Sequence, residues 1–96
     1  MITVKKISNS EFMVTVEERG SKTKHTVTLD DRYYQDLTKG EISKEELIKR
    51  SFEFLLKREP KESILSRFNL KVIKRYFPEY EQRFRVVSNE NFKQLK

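Results

Sequence analysis

Hydrophobic and polar residues alternate along the first third of the chain. A strict period of two is the pattern of a β-strand that has one buried face. The apolar members of this pattern form two runs, and they are Phe12, Val14, Val16, Val27 and Leu29. The chain is therefore expected to begin with antiparallel strands whose apolar side chains share one face.

The polar segment 19–23 separates the two runs and contains Gly20. It predicts a hairpin loop of about three to five residues. Ile2 and Val4 indicate one more short strand near the N-terminus, so we expect two or three antiparallel strands. An isolated hairpin is only marginally stable in water, so the apolar face of this sheet needs a second layer.

In the middle of the chain, the apolar residues recur with the spacing of an α-helix. Residues 31–37 predict a short helix that Asp30 caps and Gly40 terminates. Ser43 and Glu46 have the spacing of a capping box, in which each side chain accepts a hydrogen bond from the other residue's backbone N–H. A second helix is therefore expected to begin directly after Ser43.

This second helix is predicted over residues 44–58, and Pro60 ends it. Its apolar face has the spacing i, i+4, i+7 and i+8, and consists of Ile48, Phe52, Leu55 and Leu56. Further apolar clusters beyond Pro60 predict additional short helices, with Asn69 as a break or cap between two of them.

The pattern as a whole predicts one α+β domain over residues 1–84 and a flexible tail over residues 85–96. In this domain, an N-terminal two- or three-stranded antiparallel sheet is followed by three or four short helices packed on one of its faces. The chain contains no cysteine, so packing has to stabilise it without disulfides or thiolate metal sites.

No apolar stretch approaches the ~18 residues that a membrane span needs, and no export signal is visible. We therefore expect a cytoplasmic protein that has no membrane partner.

Charge is distributed unequally along the chain. Residues 1–42 contain seven basic and seven acidic residues, whereas residues 43–96 contain fourteen basic and eight acidic ones, which accounts for the net charge of +6. A basic surface on one side of a protein is typical of a polyanion-binding protein. The helical half, residues 43–85, is therefore a candidate nucleic-acid-binding surface.

The candidate nucleic-acid contacts are Arg67, Lys71, Lys74 and Arg75. These four residues would share one helix face if a helix continued unbroken through Asn69, and their cations could then bind phosphates. Two alternatives remain. The four residues could form the ordinary solvated face of an amphipathic helix, or they could contact an acidic membrane surface.

Residues 62–70 are similar to the first helix and turn of a helix-turn-helix motif. The pattern then departs from that motif, because Arg75 stands where its second helix has an apolar residue. Pro78 also stops the second helix after about two turns.

The residues with catalytic potential do not form a recognisable motif. His25 is the single histidine and is expected to be a surface or packing residue, and Asp30-Asp31 is explained as a helix cap. The chain has only two glycines, twenty residues apart, which excludes a glycine-rich phosphate loop. We predict no catalytic, cofactor-binding or metal-binding residue and no enzyme activity. An enzyme built from scattered residues would need a pocket that gathers Asp, Glu and His25.

The C-terminal half is rich in aromatic residues, which are Phe68, Tyr76, Phe77, Tyr80 and Phe84. They could form a base-stacking platform or the core of the domain. The core is the preferred interpretation, because the chain contains no tryptophan and only two methionines.

Residues 52–65 read F-E-F-L-L-K-R-E-P-K-E-S-I-L, and residues 75–80 read R-Y-F-P-E-Y. These two blocks resemble a family of small uncharacterised bacterial proteins that also have an N-terminal β-hairpin. The resemblance implies a bacterial cytoplasmic protein. It indicates no particular activity, cofactor or partner. The leading hypothesis is a non-enzymatic binding module for an unknown protein partner or a second copy of itself, and the alternative is a nucleic-acid-binding protein.

Overall fold

The structure is a computed structural model that describes residues 1–84. Its strands are β1 (Ile2–Lys6), β2 (Glu11–Glu18), β3 (Ser21–Thr28) and β4 (Arg67–Asn69). Its α-helices are α1 (Asp31–Thr38), α2 (Lys44–Leu56) and α3 (Ile73–Tyr76), and short 3₁₀ helices cover Lys61–Ser63, Leu70–Val72 and Pro78–Arg83. The tail predicted for residues 85–96 lies outside the described residues.

The four strands form one mixed sheet in the order β1-β2-β3-β4. The first three strands are antiparallel, and Val14 of β2 lies between Val4 and His25. β4 runs parallel to β3, with Phe68 opposite Val27. A parallel neighbour requires a long crossover connection, which α1 and α2 provide here. The α+β class is confirmed, but the expected number of strands and the all-antiparallel order are wrong.

The hairpin between β2 and β3 is tighter than predicted. Only Arg19 and Gly20 separate the two strands, and both residues have positive φ angles, 53° and 81°. Two left-handed residues give the turn the twist that matches its flanking strands. The loop therefore has two residues instead of the predicted three to five.

The alternating apolar residues of β2 and β3 lie on the inner face of the sheet. The five side chains predicted for this face are fully buried, namely Phe12, Val14, Val16, Val27 and Leu29. They belong to one core cluster with the apolar face of α2, including Ile48 and Phe52. The alternation thus predicted correctly which side of the sheet is covered.

The two predicted helix caps differ in the structure. The backbone N–H of Glu46 donates to the Ser43 hydroxyl at 3.0 Å, as a capping box requires. The Glu46 carboxylate, however, accepts from Arg50 at 2.7 Å, and the expected return bond to the Ser43 N–H does not occur among the described residues. Asp30 occupies the N-cap position of α1 but makes no side-chain capping hydrogen bond.

The segment after Pro60 departs most from the prediction. Residues 61–69 form a short 3₁₀ helix and then β4, whereas a helix was expected. The Ser66 carbonyl accepts from the Thr26 N–H at 2.8 Å, so pairing with β3 satisfies backbone groups that a helix would have bonded internally. Asn69 does form a cap, because its side chain accepts from the Lys71 N–H at 3.1 Å.

None of the helices in residues 1–84 is long and apolar enough to cross a membrane.

Candidate functional site

The four candidate nucleic-acid residues do not share a helix face. Arg67 lies in β4, Lys71 in a 3₁₀ helix, and Lys74 and Arg75 in the four-residue α3. The unbroken helix that would have placed these four residues on one face is therefore absent from this segment. The helix-turn-helix interpretation fails for the same reason, since residues 62–70 contain no α-helix.

Three of these four cations face carboxylates. Arg67 lies 3.5 Å from Glu11, Lys71 lies 3.9 Å from Asp30, and Lys74 lies 3.5 Å from Glu81. Among the described residues, Arg75 is the one member of the set without such a partner. These contacts partly neutralise the charge that the sequence offered for phosphate binding.

His25 is a buried packing residue. Its ring lies against Phe52, with the ring centroids 5.3 Å apart. Nδ1 donates to the Leu65 carbonyl at 2.8 Å, and Nε2 lies 2.8 Å from the Thr23 hydroxyl. Since both ring nitrogens are engaged, the described structure shows no free imidazole lone pair at this position.

No group of three or more His, Asp or Glu side chains within residues 1–84 is placed to hold a metal ion.

The aromatic residues divide between core and surface. Tyr80 is fully buried, Phe68, Phe77 and Phe84 pack partly buried against the core, and Tyr76 is 66% exposed. The Tyr80 hydroxyl lies 2.6 Å from Ser51 Oγ, which in turn donates to the Leu47 carbonyl at 2.7 Å. Burial raises the pKa of Tyr80 well above its ordinary value, which the hydrogen bond to Ser51 only partly offsets.

An apolar groove lies between the end of α2, the segment before β4, and α3. It has a volume of about 210 Å³ and is partly open to solvent. Two large apolar side chains at the groove remain exposed, Leu65 by 49% and Tyr76 by 66%. The other apolar walls include Leu55, Ile64, Phe68 and Ile73. We refer to this site as the Leu65–Tyr76 groove.

Two polar residues, Glu59 and Ser63, are among the residues that line the Leu65–Tyr76 groove. Both lie in the segment that follows α2, where the Glu59 N–H donates to the Leu55 carbonyl at 2.9 Å and fixes the position of the residue. No ion pair joins Glu59 to any cation within residues 1–84. Glu59 is thus the one acidic residue among those that line the groove, and its carboxylate has no cationic partner among the described residues.

Hydrogen bonds to β3 hold the segment that carries Leu65. The Leu65 carbonyl accepts from His25, and the Ser66 carbonyl accepts from the Thr26 N–H. The sheet thus supports one wall of the groove through two consecutive carbonyls. This makes the exposed Leu65 side chain part of an ordered wall.

A second, more polar cavity of about 200 Å³ is lined by Arg50, Glu53, Phe54, Lys57, Arg83 and Phe84. Arg58 stacks on Phe54, with its guanidinium carbon 3.6 Å from the ring centroid. Arg58 also lies 3.4 Å from Glu79. Of the cations that line the cavity, Arg50 lies 2.7 Å from Glu46, and the Arg83 guanidinium lies 5.8 Å from the centroid of the Phe54 ring.

The sequence contains only a partial signal for the groove. Leu65 and Tyr76 fit the spacing of apolar helix faces, so their exposure could not be foreseen. Only the strand at 67–69 brings the two segments that carry them to the same groove.

Comparisons with protein-family models, with curated proteins and with solved structures found no match for this chain.

Proposed function

We propose that this protein is a non-enzymatic interaction module of the bacterial cytoplasm that binds a peptide segment of a partner protein in the Leu65–Tyr76 groove. The observation that carries the proposal is the exposure of Leu65 and Tyr76 at the edges of an apolar groove. Large apolar side chains in contiguous exposed positions are typical of interaction sites. The bacterial origin rests on the resemblance of residues 52–65 and 75–80 to a bacterial family.

The size of the groove favours an anchoring side chain over a cofactor. Ligand pockets for small molecules generally measure ~300–1,000 Å³. The groove measures about 210 Å³, and an apolar cavity of ~150 Å³ already accommodates benzene. A single leucine or aromatic side chain therefore fits, and burying it would contribute about 1.5–3 kcal/mol.

The chemistry of the lining also favours binding without catalysis. Glu59 and Ser63 are its polar side chains, and His25 is directed to the Leu65 carbonyl and to Thr23. A serine nucleophile needs a base within hydrogen-bond reach, and the described structure gives Ser63 no such side-chain contact.

Nucleic-acid binding through the basic half of the chain has less support. It draws on the excess of basic residues in residues 43–96. Against it, Arg67, Lys71 and Lys74 already face carboxylates. If it were correct, affinity for a labelled random duplex would fall with salt at a log–log slope of about −0.9 per neutralised phosphate.

The proposal is tested by titrating isotope-labelled protein with N-acetyl-leucinamide and N-acetyl-phenylalaninamide and recording NMR chemical shifts. We expect saturable shifts at Ile64, Leu65 and Tyr76. Leu65→Ser should weaken the response, whereas the control Ile7→Ser, which changes a similarly exposed residue on the segment between β1 and β2, should leave it intact.

Shifts spread evenly over the surface, or shifts unaffected by Leu65→Ser, would remove the support for the groove. Salt-sensitive binding of the duplex with no response to either amide would favour the nucleic-acid alternative.

A further inference from the structure

We infer that the occupant of the Leu65–Tyr76 groove is a peptide segment in which a bulky apolar side chain lies beside a lysine or arginine. This inference rests on the proposed function and adds the charge of the partner. The apolar side chain enters the groove, and the neighbouring cation pairs with the Glu59 carboxylate. Glu59 is thus the residue that selects among apolar peptides.

Glu59 is available because two basic residues close to it in sequence, Arg58 and Lys61, pair with other groups, and Lys57 lines a different cavity. The Arg58 guanidinium stacks on Phe54 at 3.6 Å and lies 3.4 Å from Glu79. Lys61 Nζ lies 3.0 Å from Glu62, and that hydrogen bond lowers the pKa of the Glu62 carboxyl. Lys57 lines the second cavity. Within the described residues, the carboxylate in the groove has no cation of its own.

The walls of the groove also suit a long basic side chain. Lysine and arginine bury their aliphatic stems on apolar surfaces while the charged head stays at the edge. Three aromatic residues, Phe68, Tyr76 and Phe77, also line the groove, and the face of an aromatic ring attracts a cation. A basic residue beside the anchor can therefore contact both the carboxylate and an aromatic ring.

The net charge of +6 does not oppose this pairing at short range. At physiological ionic strength, exposed charges separated by more than about 8 Å are largely screened from one another. The electrostatic energy of a cation beside Glu59 therefore depends more on that carboxylate than on distant lysines. The pairing should weaken as salt is added, because the groove is partly open to solvent.

The experiment selects a displayed library of random dodecapeptides against the full chain, in parallel with the variants Glu59→Gln and Glu59→Lys. The selected peptides are then synthesised with their basic residue intact or replaced by glutamate. Peptides selected on wild type should contain an apolar residue beside Lys or Arg. Replacing that basic residue by glutamate should weaken the affinity of the peptide for wild type about three- to fivefold. Glu59→Gln should remove this preference, and Glu59→Lys should reverse it.

The outcomes separate this inference from the proposed function. Groove-dependent peptides that show no charge preference, or a preference unchanged by Glu59→Gln, overturn the inference and leave peptide binding in place. Peptides that bind Leu65→Ser as tightly as wild type, or no enriched peptide at all, overturn both. Circular dichroism confirms in each case that the variant is folded.

Two other occupants, a second copy of this chain and residues 85–96 of the same chain, would give different experimental results. Either result would overturn the inference. A second copy of this chain would appear as a dimer in sedimentation velocity that Leu65→Ser disperses. Occupation by residues 85–96 of the same chain would leave wild type without selected peptides, while Phe92→Ser with Leu95→Ser would yield groove-dependent ones.

Discussion

His25 Nδ1 donates a hydrogen bond to the Leu65 carbonyl across 2.8 Å, and this bond joins the inner face of the sheet to one wall of the groove. The carbonyl can only accept, so the neutral ring carries its proton on Nδ1 and Nε2 accepts from the Thr23 hydroxyl. Forty residues separate the two bonded residues in the chain. The contact therefore ties β3 to the segment that precedes β4.

Replacing His25 by phenylalanine should destabilise the domain by about 1–3 kcal/mol, because the Leu65 carbonyl loses its side-chain partner while the ring volume is retained. Thr23→Val is the matched control and should cost less than about 1 kcal/mol, since Thr23 is only half-buried and water can replace its hydroxyl. Urea unfolding followed by circular dichroism measures both. Equal effects of the two changes would contradict the assigned role of the Leu65 bond.

Ser51 and Tyr80 form a buried hydrogen-bond chain that a double-mutant cycle can dissect. The single Ser51 proton goes to the Leu47 carbonyl, so the Tyr80 hydroxyl donates to Ser51. Ser51→Ala leaves that hydroxyl buried without its acceptor and should cost about 1–3 kcal/mol, whereas Tyr80→Phe should cost about 0.5–1.5 kcal/mol. The double variant should lose less than the sum of the single losses, and strict additivity in urea unfolding would refute the coupling.

Tyr80 should also make the stability of the domain depend on alkaline pH. Burial raises the pKa of Tyr80 above its ordinary value of 10.0, so the folded protein keeps the phenol proton at pH values where the unfolded chain has released it. Stability contributed by Tyr80 is complete below about pH 10 and falls above it, at up to ~1.4 kcal/mol per pH unit.

Unfolding free energies at pH 9, 10 and 11 test this expectation. Wild type should lose about 1 kcal/mol more than Tyr80→Phe between pH 9 and pH 11, because other titrating groups are common to both proteins. Parallel losses in the two proteins would show that Tyr80 ionises equally in the folded and unfolded chains.

The two helix N-caps should differ in their contribution to stability. Ser43→Ala removes the acceptor of the Glu46 N–H and should cost about 1 kcal/mol. Asp30→Ala should cost less than half of that, because Asp30 makes no side-chain capping bond and faces Lys71 only at 3.9 Å. Thermal unfolding of the two variants measures the difference, and a larger loss for Asp30→Ala would show that the first cap does form in solution.

Local patterns along the chain predicted the elements whose stabilising contacts are close in sequence. The alternation in residues 12–16 and 27–29 identified the buried side chains of β2 and β3, and Ser43 marked the start of α2. A strand with one buried face and a capped amphipathic helix each follow from short-range periodicity. These elements are predictable because each is specified by residues within a few positions of one another.

The segment 61–69 could not be predicted in this way. β4 is three residues long, and its partner Thr26 lies about forty positions earlier, so no local period marks it as a strand. The apolar residues of segment 61–69 fit a helical spacing equally well. That spacing led to the prediction of a shared basic helix face and to the helix-turn-helix interpretation. Pairing with β3 decides the conformation, because backbone groups beside an open sheet edge are stabilised by bonding to it.

Residue patterns alone were sufficient to predict an α+β domain with a capped central helix, a covered sheet face and an excess of positive charge in its second half. Three features emerge only from the folded chain. A fourth strand runs parallel to β3, three of the candidate cations face carboxylates, and Leu65 and Tyr76 border one groove beside Glu59. The predicted features depend on periodicity and capping, which act over a few residues, whereas the other three depend on contacts between distant parts of the chain. The groove exists because the His25 ring and the Thr26 N–H hold a segment that is distant in the chain.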